Sequence, residues 1–313
     1  MRATRLALLA AVSLVATGVA TSGAALPATG VTALAADAAA ATISPGIVRL
    51  HPNATHAGKA AAAPLTTAQC EAQFHIACYG PAQLQQAYRL PTLFAQGDEG
   101  QGQTIAIVDS YGSPTIQHDL GVFDQTYGLP APPKLTVIQP AGAVPPYDNS
   151  ANRAGWAGET NLDVEWAHTM APRANILLVE TPTSEDEGTS GFPEIVTAEK
   201  YVIDHHLAAV ISQSFSATEQ TFPSKQALLA LRGAYLDAYA RGVTVLTASG
   251  DSGAADSTAG DDLYLRPVTS WPDSDPLVTG VGGTKLSLDA QGHHTAPDTV
   301  WNDTFDIPTQ QYI

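Results

Sequence analysis

Short apolar runs alternate with longer amphipathic ones along most of this chain. Gln103–Asp109, Asn175–Glu180, Ala208–Gln213 and Val243–Ala248 are too short for helices and apolar at consecutive positions. That is the pattern of strands buried on both faces of a sheet. Leu135–Ile138 offers one more strand. Between these runs the spacing predicts helices over Pro81–Tyr88, Pro114–Tyr127, Gly158–Pro172, Pro193–His206 and Ser224–Arg241. Gly97–Gly102 is a turn, and Pro140–Ala154 and the acidic stretch Thr181–Gly191 are loops. Strands that alternate with helices predict βαβ units and a mostly parallel sheet. No fixed repeat period interrupts the pattern.

One predicted helix stands out. In Gly158–Pro172, Leu162, Trp166 and Met170 recur at a four-residue step with Val164 and Ala167 alongside, which predicts a buried apolar stripe. Glu159 and Asp163 are also four apart, so their carboxyl groups can meet on one helix face. Two adjacent carboxylates repel, and one of them holds a proton unusually well, which suits acid–base chemistry. Glu165 reads as an acid of the solvated face. Two further acids close apolar strands. Asp109 ends the first strand, and Asp251 lies in Ser249-Gly-Asp-Ser-Gly253, just past the Val243–Ala248 run. Acids at such strand ends belong to the crevice where parallel sheets bind ligands.

Composition narrows the classes. Hydrophobic residues are 44% of the 313 and charged residues 14%, enough for a sizeable core. A net charge of -16 leaves no basic stripe for nucleic acid, which is excluded as a partner. Arg2 and Arg5 precede an apolar run, Leu6–Val19, and then small residues, so 1–25 is a signal peptide with possible cleavage after Ala20, Ala24 or Ala25. No later stretch is long and apolar enough to span a membrane. The chain is therefore expected to be secreted and extracellular, with no membrane contact after signal removal. Residues 26–68 are Ala-rich and read as a linker or short pro-segment, leaving 69–313 as the folded domain. Cys70 and Cys78 suit export and read as a disulfide. His205-His206 and His293-His294 lack a metal-binding spacing, so no metal site is expected.

Taken in order, Gly158-Glu-x-x-x-Asp163, Ala209-Val-Ile-Ser-Gln-Ser214, Ser249-Gly-Asp-Ser-Gly253, Trp271-Pro272 and Val278-Thr-Gly-Val-Gly-Gly-Thr284 resemble the sedolisin family, the serine-carboxyl peptidases. The resemblance covers roughly Cys70 to Asn302. It implies an α/β fold of the subtilisin-like three-layer type, and serine-type endopeptidase activity on proteins or peptides at acid pH, by a monomer. It implies that Glu159 is the general base, that Asp163 orients it, and that a protonated Asp251 donates to the oxyanion. Asp109 falls where related subtilases carry their triad Asp. It is either an outer acid linked to the Glu159–Asp163 pair or a structural cap of the next turn.

The chain departs from the family pattern in three ways. The family's nucleophile lies in a Gly-Thr-Ser-Ala stretch beyond the Val-Gly-Gly-Thr turn, and its calcium site lies later still. Neither falls within these 313 residues, so the domain is expected to be C-terminally incomplete, without nucleophile or cofactor. Ser190 and Ser252 do not replace the nucleophile, the first because it precedes the oxyanion acid in an acidic loop, the second because it belongs to the oxyanion loop. Ser216 stands where the family has glycine, in the substrate cleft. A non-catalytic remnant or binding protein of the same fold is the alternative reading.

Overall fold

The computed structural model describes residues 64–260 and 262–300, and the backbone of 305–306 and 311–312. The signal peptide and most of the Ala-rich segment lie outside the described residues. The first element, α1 (Thr67–Phe74), starts at a capping box: the Thr66 hydroxyl accepts the Gln69 amide, and the Gln69 side chain accepts the Thr66 amide. The Cys70–Cys78 disulfide is formed. Helices α2 (Pro81–Ala87) and α3 (Leu90–Phe94) follow.

The main layers then alternate: β1 (Thr104–Ser110), α4 (Ile116–Tyr127), β2 (Leu135–Ile138), α5 (Ala151–Met170), β3 (Asn175–Thr181), α6 (Phe192–Asp204) and β4 (Val210–Gln213). Next come the short β5 (Ala217–Thr218), α7 (Lys225–Leu231), α8 (Gly233–Arg241), β6 (Thr244–Ala248), β7 (Ser270–Trp271) and β8 (Thr279–Val281). Three small strand pairs complete the pairing: β5 with β7, β9 (Thr284–Lys285) with β10 (Thr299–Val300), and β11 (Phe305–Asp306) with β12 (Gln311–Tyr312). The central sheet has six parallel strands in the order β2-β3-β1-β4-β6-β8.

Alternate residues of each strand face opposite layers. Ile107, Ile176 and Leu178 pack with Ile116 and Leu120 of α4 and Val164 of α5. Ala106, Val108 and Ile211 face the other way, against α6 and α8. The result is a helix–sheet–helix sandwich whose strands all end on one edge.

Three elements depart from the expected pattern. Helix α5 begins at Ala151, inside the stretch read as loop, because the Ser150 hydroxyl caps it by accepting the Arg153 amide at 3.3 Å. Its buried face is Arg153, Thr160, Val164 and His168, while Leu162 is 48% exposed. The Leu162/Trp166/Met170 stripe therefore does not meet the sheet. Trp166 instead packs edge-on against Phe123 of α4, with ring centroids 6.1 Å apart. The single helix expected over Ser224–Arg241 is broken at Arg232, whose guanidinium forks onto Asp275, and the chain restarts at Gly233, a poor residue for a helix interior.

Candidate active site

Parallel register brings the strand ends together. Asp109 on β1 lies opposite Glu180 on β3, and Val108 lies opposite Gln213 on β4, so the residue after each, Asp109 and Ser214, stands side by side on the α5 face. Gln213 aligns with Thr247 of β6, one residue before that strand ends. The chain then turns through Ser249–Gly253, where Gly250 has φ +91 and a Cβ would sit 3.0 Å from Asp256 Oδ2. Only glycine takes that backbone without strain, and the turn holds Asp251 close enough to Glu159 for its charge to act there.

From above the sheet, α5 presents Glu159 and Asp163 on consecutive turns. The Ser214 hydroxyl donates to Asp163 Oδ1 at 2.9 Å and also hydrogen-bonds Glu159. Asp109 is fully buried, and both its oxygens are sealed from solvent together with Oδ2 of Asp163, with the Thr160 hydroxyl as a hydrogen-bonding neighbour of Asp109. Carboxyl groups enclosed in that way carry a shared proton.

The electrostatics follow from this enclosure. Burial, then the Asp163 charge, holds the Asp109 carboxyl well above its usual range, with the Thr160 hydroxyl pulling the other way. Glu159 is pushed up to about 7, first by burial, then by the charges of Asp163 and Asp251, against the Ser214 bond. Asp163 is pushed up to about 6 by burial, and its bonds to Ser214 and Asp109 oppose the shift. The ordering leaves the proton on Asp109, which donates to the Asp163 carboxylate. Burial also raises Glu180, which Gln139 Nε2 (2.7 Å) and the Arg153 charge counteract.

All four acids singled out in the sequence thus reach one sheet edge. Ser214, which bonds two of them, carried no assigned role, and the signal for it was its position one residue past the strand that aligns with Asp109. Other candidates fall elsewhere. His168 is fully buried, with Nε2 2.7 Å from the Pro130 carbonyl and 3.3 Å from Asp124, a structural contact between α5 and α4. The Ser190 hydroxyl donates to the Ser184 carbonyl at 3.2 Å. Glu165 is not a solvated surface acid: it is part-buried and pushed up to about 7 by burial and by Asp119 and Asp124. Among the described residues, no three His, Cys, Asp or Glu side chains are grouped to hold a metal ion.

A parallel, three-layer α/β sheet with clustered carboxyl groups at the C-terminal ends of its strands defines a protein of subtilisin-like architecture. No family model matches the chain. Kumamolisin from a Bacillus species is 32% identical over 225 residues, which cover 72% of this chain and 37% of kumamolisin. Tripeptidyl-peptidase sed4 of Aspergillus fumigatus is 25% identical over 228 residues, covering 66% of this chain and 35% of that protein. The solved structure of Pseudomonas sedolisin, a serine-carboxyl proteinase complexed with two molecules of pseudo-iodotyrostatin, matches with a TM-score of 0.57 at 22% identity. That match covers 75% of this chain and 61% of sedolisin and bears on the fold. The chain belongs to the sedolisin family. It spans little more than a third of the length of the curated relatives it matches.

Proposed function

We propose that this chain carries the acid–base and oxyanion groups of a secreted serine-carboxyl endopeptidase that hydrolyses proteins or peptides at acid pH. One observation carries the reading: Glu159, Asp163, Asp109 and Asp251 converge on one sheet edge in a chain of this family. Glu159 takes the proton of a serine nucleophile and returns it to the leaving amine. Asp163 fixes Glu159, the orienting task of a triad's third member. Asp109, holding its own proton, keeps Asp163 in place. Asp251 donates to the developing oxyanion, and it does so only while protonated. The serine arrives in a Gly-Thr-Ser-Ala stretch outside these 313 residues. The proposed substrate is a protein or peptide chain, the enzyme works as a monomer, and neither nucleic acid nor membrane takes part. Among the described residues no helix is long and apolar enough to cross a membrane.

The pH window is set by opposite demands. Glu159 must be ionised to accept, and Asp251 protonated to donate. Ordinary carboxyl values place that overlap at roughly pH 4. Burial moves the Glu159–Asp163 pair up to about 7 and about 6, so the pair alone favours weak acid. A nucleophile hydroxyl that donates to Glu159 favours its ionised form and carries the window back toward lower pH.

The test is a longer polypeptide that adds the Gly-Thr-Ser-Ala region, assayed on denatured protein from pH 3 to 8. Cleavage on the acid side is expected, with Glu159→Gln lowering kcat by roughly 10²–10⁴-fold. The 313-residue chain alone is expected to show no turnover. Full activity in Glu159→Gln, or a rate that peaks in alkali, defeats the serine-carboxyl reading.

A further inference from the structure

The two central carboxyls share a side chain to which the serine-carboxyl reading gives no task. Ser214 follows β4 directly, beside Asp109 on the α5 face. Its Oγ donates to Asp163 Oδ1 at 2.9 Å, and the same hydroxyl bonds Glu159. A hydroxyl has one proton to give and two lone pairs to offer. Once its proton is committed to Asp163, the bond to Glu159 requires that Glu159 donate. The geometry therefore orders the three groups as Glu159–H, Ser214 Oγ–H, Asp163.

We propose that Ser214 is a positioning residue that bridges Glu159 and Asp163 and passes a proton between them. The step balances. The Glu159 proton moves to Ser214 Oγ as the Ser214 proton moves to Asp163 Oδ1. One O–H bond breaks and one forms at the serine, its hydroxyl is regenerated, and the net change is one proton from Glu159 to Asp163. The proposal rests on the serine-carboxyl reading and gives it a route by which a proton taken by the base reaches its orienting acid. The charged groups that face the bridge belong to three elements besides α5. Asp109 of β1 acts on Asp163, Asp251 of the turn after β6 acts on Glu159, and Glu180 of β3 acts on Asp109.

Carboxyl carbon NMR of the ¹³C-labelled 313-residue chain tests the bridge without any need for turnover. Ser214→Ala is expected to raise the protonation midpoint of Asp163, which loses a donor to its ionised form, and to lower that of Glu159, which loses the acceptor of its proton, each by roughly one pH unit. Ser214→Thr keeps the hydroxyl and is expected to restore both. Should Ser214→Ala fail to fold by circular dichroism, Ser214→Cys is close in volume but a weak donor and acceptor, and is expected to shift the same two midpoints in the same directions as Ala. Unchanged midpoints in the Ala or Cys variant, or a Thr variant that behaves like Ala, overturn the bridge. Shifted midpoints in this chain, with a longer polypeptide that cleaves nothing, leave the bridge standing and overturn the peptidase reading alone.

Discussion

Asp109 shows how far burial decides what a single side chain does. A carboxyl with no exposed surface, facing another carboxyl, is held as the neutral acid, and its value lies far above that of an unfolded chain. The native state therefore binds a proton that the unfolded state releases above roughly pH 4, so this residue favours folding in acid and opposes it as pH rises. Asp109→Asn keeps the shape and a donor toward Asp163 but cannot ionise. Its urea midpoint is expected to vary less between pH 5 and pH 8 than that of the parent chain, with the gain concentrated at pH 8. Asp109→Ala removes the donor as well and leaves a buried oxygen of Asp163 without its partner, so a loss of about 2 kcal/mol at pH 5 is expected. An Asn variant with the parent's pH dependence would place the controlling proton elsewhere.

At the scale of elements, α5 separates what the sequence pattern conveys from what packing decides. Its existence, and the pairing of Glu159 with Asp163, follow from spacing alone, since residues four apart share a face whatever the helix packs against. Which face turns toward the sheet does not follow. Leu162, Trp166 and Met170 form the more apolar stripe, yet Thr160, Val164 and His168 lie inside, because α4 supplies Phe123 to cover Trp166 and Asp124 to meet His168. The strands were legible because runs such as Leu135–Ile138 and Asn175–Thr181 are apolar on both faces. Their order and register were not, and register is what sets Ser214 beside Asp109. Asp109 and Asp251 could be read without it, as acids at strand ends. The break at Arg232 was hidden because its partner, Asp275, is distant in the chain. Two substitutions check the assigned face of α5 by thermal or urea unfolding. Val164→Ala, at a site with no exposure, is expected to cost about 2 kcal/mol, whereas Leu162→Ala, at 48% exposure, should cost well under half as much. A larger loss at Leu162 would mean that the helix is rotated from the orientation described.

Over the whole molecule the same desolvation recurs, and it sets the pH at which the chain is most stable. Glu159, Glu165 and Glu187 are each pushed up to about 7 and Asp163 to about 6, with burial the leading cause in every case. Asp109, Asp124, Glu180, Glu185, Glu199 and Asp273 are raised for the same leading reason. Among the described residues, Asp148, Asp275 and Asp289 are the carboxyls that shift down, each with hydrogen bonds to its charged form. For the raised groups the folded chain holds protons that the unfolded chain has already released. Their contribution is fully present below the unfolded values near roughly pH 4, and it is lost as pH rises through 6 and 7. The three lowered groups act the other way and weaken the fold only in stronger acid. A net charge of -16 at neutrality adds self-repulsion, which acid relieves. Thermal unfolding of the 313-residue chain is therefore expected to move to lower temperature by several degrees between pH 5 and pH 8. The loss should be steepest below pH 6, where the raised groups still hold protons that the unfolded chain has released, and shallower as those groups ionise through 6 and 7. Added salt screens the surface repulsion but leaves the buried carboxyls untouched, so most of the loss should persist in 0.5 M NaCl. A melting temperature that rises toward pH 8, or a loss that salt abolishes, would mean that surface charge rather than burial of these acids governs how the fold responds to pH.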